Sequence, residues 1–195
     1  MPIDWSEPFA RFAEWFAEAK LKQPKDPNAV TLATVDAEGR PSARVVLMKE
    51  VDARGFVLFT NYDSRKGREL SAQAVAALCF YWPSMDRQVR VEGKIEKVTA
   101  EESDAYFATR LRLSQLGAWA SLQSQPLDSR ATLEARLADV TAKYEGKPVP
   151  RPPHWGGFRV LPERIEFWRA HENRLHDRTV YERDGAGWAA GALFP

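Results

Sequence analysis

The segment Arg174-Leu175-His176-Asp177-Arg178 sets two guanidiniums and an imidazole close behind Glu166-Phe167-Trp168. Such a grouping suits an anionic, planar partner that can be both stacked on and hydrogen-bonded. Its plain alternative is a solvated, charged hairpin edge. A second pair of cations lies on Arg44-Val45-Val46-Leu47-Met48-Lys49. On a regular strand the odd spacing sends Arg44 and Lys49 to opposite faces, and strand rise separates them by roughly 16 Å. One phosphate could not easily be gripped by both. The strand therefore suits two separate anionic groups, unless the pair simply flanks a core strand as surface cations.

In Asn61-Tyr62-Asp63-Ser64-Arg65-Lys66-Gly67, Ser64 occupies a helix N-cap position. Free backbone N–H groups would then point where Arg65 and Lys66 reach, which makes either a phosphate cradle or a plain capped helix start. Tyr106 and Arg110 are one helical turn apart. Ser114 either continues their face or caps a next short helix at Gln115. Together they could hold an oxyanion, or serve as a packing tyrosine beside a solvated arginine. From Arg87 to Val98, polar Gln88, Arg90, Glu92, Lys94 and Glu96 alternate with Val89, Val91 and Ile95. One face of that strand meets solvent, ligand or partner.

The elements that must position these groups follow from periodicity. An amphipathic helix over about 6–20, opened by Ser6 and Pro8, turns Phe9, Phe12, Ala13 and Phe16 inward. Strands are predicted at Ala29 to Val35, Ser42 to Val51, Phe56 to Asn61, Val75 to Trp82 and Gln88 to Val98. Turns at Gly39 and Gly55 are too short for crossover helices, so these strands pair antiparallel. A helical insertion over about 99–145 holds one helix from a Thr99/Glu102 capping box to about Arg110, and another from Ser129 to Tyr144. An extended connector over 146–153 precedes strands at Phe158 to Trp168, Thr179 to Arg183 and Trp188 to Phe194. The sum is a single domain over 1–195, mainly β with helices (α+β), built on an antiparallel barrel or sandwich.

Composition narrows the classes. The chain has 195 residues, 44% hydrophobic, with 28 basic against 27 acidic side chains. That balance argues against a general nucleic-acid or membrane binder, so any anion site is local. The only cysteine, Cys79, sits in an apolar run and reads as a small buried hydrophobe, which fits a cytoplasmic location. His154, His171 and His176 lack metal-ligand spacing beyond the loose pair His171 and His176, so no metal is expected. Dinucleotide, P-loop and serine-hydrolase motifs are missing. No signal peptide or spanning run is expected.

Taken in order, Arg44 to Lys49, Phe59 to Gly67, Arg87 to Gly93, Trp155-Gly156-Gly157 and Arg174 to Arg178 resemble pyridoxamine 5'-phosphate oxidase along nearly the whole chain. The resemblance implies an FMN-binding split barrel, assembled as a homodimer with the flavin between subunits. It further implies oxidation of pyridoxine 5'-phosphate or pyridoxamine 5'-phosphate to pyridoxal 5'-phosphate, with oxygen as acceptor, hydrogen peroxide released, and ammonia released from the amine. The implied FMN contacts are Arg44, Val45, Val46, Leu47, Met48, Lys49, Phe59, Thr60, Arg65, Lys66, Gln88, Gln123, Ser124, Trp168 and Arg178. The implied substrate contacts are Lys49, Tyr106, Arg110, Ser114, Arg174 and His176, the last two also catalytic. The resemblance also implies hydride transfer from the substrate's C4' carbon to flavin N5, for which stacking and orientation outweigh a strong base, and Arg178 could stabilise charge on the reduced flavin.

Departures from the family pattern are Phe59 in place of Tyr, Arg169-Ala170 in place of Gln-Gly, and Ala192 in place of an arginine near the end. Two other readings compete: a flavin oxidase of the same fold acting on another ring compound, and a carrier or sensor that binds flavin or pyridoxal phosphate without turnover.

Overall fold

The computed structural model describes residues 7–195; Ser6, expected to open the first helix, lies outside them. Helix α1 (Glu7–Lys22) has Glu7 in its first turn and Lys20 and Lys22 in its last, each sign suited to the helix dipole. Its inward stripe is Phe9, Phe12, Trp15 and Ala19. The expected Ala13 and Phe16 are only half-buried, because the 3-3-4 spacing of the observed stripe gives Trp15 the inward place. Phe12 meets the rings of Phe56 and Phe80 edge-on at 4.8 and 5.1 Å, so the helix packs on the barrel core.

Eight antiparallel strands form the sheet: β1 (Ala29–Val35), β2 (Pro41–Asp52), β3 (Gly55–Asn61), β4 (Val75–Trp82), β5 (Arg87–Lys97), β6 (Trp155–Arg169), β7 (Asp177–Asp184) and β8 (Gly187–Ala192). Their order is β3-β2-β1-β4-β5-β6-β7-β8, and β3 also pairs with β6. Six strands therefore close an antiparallel barrel, as expected, and the β7-β8 hairpin extends it from β6. Cys79, expected to be buried, is half-buried on β4, and burial raises its pKa.

Strand β6 begins at Trp155, earlier than the expected Phe158. Asn61, Thr60 and Phe59 of β3 pair with Trp155, Gly156 and Gly157. Only glycine allows this approach. A Cβ on Gly156 would sit 2.0 Å from Tyr62 Oη, and one on Gly157 would sit 2.6 Å from Val98.

Helix α2 (Arg65–Ala72) starts where Ser64 predicts it, with Ser64 Oγ accepting from the Gly67 amide at 3.2 Å. The insertion differs from expectation. Helix α3 (Ala100–Ala108) opens on the predicted capping box but stops short of Arg110. The Thr109 and Arg110 amides bond the Tyr106 and Phe107 carbonyls at 3.1 and 3.2 Å, a tightening that ends the helix. Helix α4 (Arg112–Ala120) follows at once, so Ser114 lies in its first turn and is neither a cap for Gln115 nor a continuation of α3. Helix α5 (Arg130–Lys143) lies within the predicted Ser129 to Tyr144 span, with Ser129 as its N-cap. Phe107, Leu116, Tyr144, Val149 and Trp155 form a second core that seats the insertion on the start of β6.

Candidate active site

Where the start of β6 and the end of β3 meet β2 and the α3–α4 corner, a cleft of about 540 Å³ opens. Side chains of β2 alternate as the parity argument requires: Arg44, Val46 and Met48 turn inward, and Val45, Leu47 and Lys49 turn outward. A bulge follows between Met48 and Glu50. Lys49 lines the cleft together with Tyr106, Arg110 and Ser114, although these come from three separate elements.

Three aromatic rings make the floor. Phe59 and Tyr106 stack at 4.0 Å and 16°, and Phe59 and Trp155 stack at 5.5 Å and 10°. The Arg110 guanidinium lies 4.7 Å from the centroid of the Trp155 ring. Its Nη1 is buried and has no hydrogen-bond partner, and burial pulls its pKa below the usual arginine value. A desolvated guanidinium N–H without an acceptor calls for an anion.

Thr60, Lys66 and Gln123 also line the cleft. Lys66 Nζ donates to Gln123 Oε1 at 2.7 Å, Thr60 Oγ1 at 3.0 Å and Ser64 Oγ at 3.2 Å. These acceptors are neutral. Burial, together with the nearby Arg44 charge, lowers the Lys66 pKa. Lys66, which the resemblance places among the FMN contacts, thus lines the same cleft as Lys49 and Arg110. Arg44 and Arg65 meet instead on Glu69, whose Oε2 accepts from Arg44 Nη2 at 3.1 Å and whose Oε1 accepts from Arg65 Nε at 2.8 Å. Burial alone would raise the Glu69 pKa, but hydrogen bonds from Thr34, Ser42, Arg65 and Arg44 bring it down to about 2. Ser124, next to Gln123, is held at φ 70°.

A second constellation stands elsewhere. Gln88, Trp168 and Arg178 form one register row across β5, β6 and β7, and the His176 ring lies 4.7 Å from that of Trp168. His176 Nδ1 accepts from the His171 amide at 3.2 Å, and His171 pairs with Asp177 at 3.0 Å. Arg174 is exposed and follows Asn173 in a left-handed pair, with φ 55° and 62°. None of these residues lines the cleft. Trp155 and Trp168 sit at opposite ends of β6, on the order of 40 Å apart along it at strand rise. The expected site residues therefore fall into two separate groups on one chain.

Sequence reasoning missed Trp155 as cleft floor and missed Glu69, the carboxylate that holds Arg44 and Arg65. Glu69 carried a signal, being four residues after Arg65 on a helix. Among the described residues, no cluster of His, Cys, Asp or Glu could hold a metal ion, and no helix is long and apolar enough to cross a membrane.

A family model described as "Pyridoxamine 5'-phosphate oxidase" matches residues 16–144, and one described as "Pyridoxine 5'-phosphate oxidase C-terminal dimerisation region" matches residues 155–195. A pyridoxine/pyridoxamine 5'-phosphate oxidase of Myxococcus xanthus is 62% identical over 189 residues, 97% of this chain and 92% of that protein. A protein of the same name from Burkholderia multivorans is 58% identical over 192 residues, 97% of this chain and 89% of the other. Among solved structures, PhzG from Burkholderia lata, in complex with tetrahydrophenazine-1-carboxylic acid, superposes with a TM-score of 0.92 at 36% identity, covering 98% of this chain and 94% of that one. A pyridoxamine 5'-phosphate oxidase-related, FMN-binding protein from Nostoc punctiforme shares the fold at a TM-score of 0.78 and 16% identity, covering 99% and 100%.

Proposed function

The chain belongs to the pyridoxamine 5'-phosphate oxidase family, and from that premise we propose that it is an FMN-dependent enzyme oxidising pyridoxine 5'-phosphate or pyridoxamine 5'-phosphate to pyridoxal 5'-phosphate. Oxygen is the acceptor and hydrogen peroxide the by-product. The observation that carries the reading is the buried, unpartnered Nη1 of Arg110 beside Lys49, Tyr106 and Ser114, a cationic pocket for a phosphate monoester.

The chain's residues suit the cofactor as well. Thr60, Lys66 and Gln123 in the cleft, with Arg44 and Arg65 joined on Glu69, offer donors for the FMN phosphate. FMN, when bound, supplies the hydride acceptor. Lys49, Tyr106, Arg110 and Ser114 bind the substrate phosphate, while the stacked floor excludes water beneath it.

The C-terminal dimerisation region provides for a homodimer, and two partial sites per chain support a cofactor seated between subunits. In that arrangement Gln88, Trp168 and Arg178 of one copy reach the flavin held by the other. Arg174 and His176 then orient the reacting ring, so that alignment rather than a strong base accelerates the reaction. A half-buried lone cysteine is compatible with the cytoplasm.

The competing ring-compound oxidase is disfavoured by the complete phosphate grip, which a carboxylated phenazine does not need. An oxygen-uptake assay on FMN-loaded protein with both phosphorylated substrates tests the reading. Uptake with peroxide release is expected; tight binding without turnover would make the protein a carrier.

A further inference from the structure

We propose that Glu166 is a positioning residue for the cofactor, a buried carboxylate that holds Arg90 and Arg178 on the face they share with Gln88 and Trp168 and sets how much positive charge that face presents. The inference deepens the functional reading above and rests on it.

Glu166 lies on β6 with its side chain 0% exposed, whereas Arg90 and Arg178 keep 38% and 24%. Arg90 and Val180 oppose it on β5 and β7, and the next row on the same face is Gln88, Trp168 and Arg178. Both carboxylate oxygens are taken. Oε1 accepts from Arg178 Nε at 2.8 Å and pairs with Arg90; Oε2 accepts from Arg164 Nη2 at 3.0 Å and Arg178 Nη2 at 3.2 Å. The remaining arm of Arg178, Nη1, donates to the Phe194 carbonyl at 2.9 Å. The plane of this guanidinium is therefore fixed from below, with its outer surface open.

Charge bookkeeping locates the excess. Arg164 is also offset by Glu92 at 2.9 Å and Glu182 at 3.5 Å. The positive charge that Glu166 leaves uncancelled therefore sits on Arg90 and Arg178, on the open face. Burial would raise the Glu166 pKa, but hydrogen bonds from Arg178 and Arg90 and the Arg90 charge bring it down to about 2, so it stays anionic at working pH. Reducing a flavin adds negative charge to its ring system, so cations on this face favour the reduced form and the carboxylate beneath tempers them. A residue that merely stapled β5, β6 and β7 together would have no such effect.

An anaerobic redox titration of FMN-loaded protein separates the two roles. Removing the carboxylate charge in Glu166→Gln is expected to raise the midpoint potential of bound FMN. The rise should shrink by at least half when Arg178→Gln is already present. A wild-type potential in loaded Glu166→Gln, or an undiminished rise without Arg178, overturns the proposal. Should Glu166→Gln not fold, Glu166→Asp keeps the charge but draws it back from Arg178. Its apo form is then expected to bind FMN at least ten-fold more weakly, and wild-type affinity would overturn the proposal. Failure of the wild-type protein to take up FMN at all would instead remove the functional reading.

Discussion

Tyr106 and Phe59 stack face to face, with centroids 4.0 Å apart and planes 16° from parallel. Together with Trp155 they form a rigid apolar floor, and Arg110 rests on its far ring. The cationic end of the cleft is thus held by packing as much as by charge.

That support makes Arg110 a binding residue whose loss acts on ground and transition states alike. Arg110→Ala should raise KM for pyridoxamine 5'-phosphate by about ten- to a hundred-fold while kcat changes far less. Trp155→Leu should show the same split at smaller size. Steady-state kinetics on both variants checks this, and a selective loss of kcat would contradict it.

Cofactor phosphate binding is the assigned task of Arg65 and Lys66. Either alanine variant loses a charge-assisted contact of about 1.5 to 3 kcal/mol. FMN affinity should accordingly fall by roughly ten- to a hundred-fold. Fluorescence titration of apo-protein with FMN reads this directly, and unchanged binding in both variants would refute the role.

Glu69 predicts a pH dependence of stability. Its carboxyl is depressed from the ordinary 4.5 to about 2. A depressed pKa contributes stability that is complete above about pH 4.5 and disappears as pH falls toward 2. Urea unfolding of the apo-protein should lose stability across that window. Glu69→Gln should be less stable at neutral pH and should lose less on acidification, its slope shallower by up to about 1.4 kcal/mol per pH unit. Parallel slopes for the two proteins would rule this out.

Arg174 should fail differently from Arg110. If it aligns the reacting carbon, Arg174→Ala should lower kcat/KM by roughly a hundred-fold or more, with most of the loss in kcat. Stopped-flow reduction of bound FMN at saturating substrate measures the step. A wild-type rate would return Arg174 to the charged hairpin edge that its sequence equally allows.

Much of this was legible in the residues. Alternation on β2 separated Arg44 from Lys49 correctly, and Ser64 and Thr99 marked two helix starts, because capping is a local matter of one side chain and one amide. The corner at Thr109 and Arg110 was not legible. No glycine or proline marks it, and the helix ends there by a shift in hydrogen bonding that seats Phe107 against Trp155. The role of Glu166, and the hold of Glu69 on Arg44, were hidden for another reason. Burial of a carboxylate depends on which arginines distant strands bring to it, and periodicity does not report that.

The length of β6 has a genetic consequence. In the proposed arrangement, with the phosphate grip at one end and Arg174 beyond the other, every complete site in a dimer would draw on two polypeptides. Homodimers carrying Arg110→Ala alone, or Arg174→Ala alone, would be impaired at both of their sites, the first in KM and the second in kcat. Paired, one copy of each would place both lesions in one site and leave the other intact. At low substrate, coexpressing the two impaired alleles should therefore restore part of the activity, a complementation that no protein with its whole site on one chain could give.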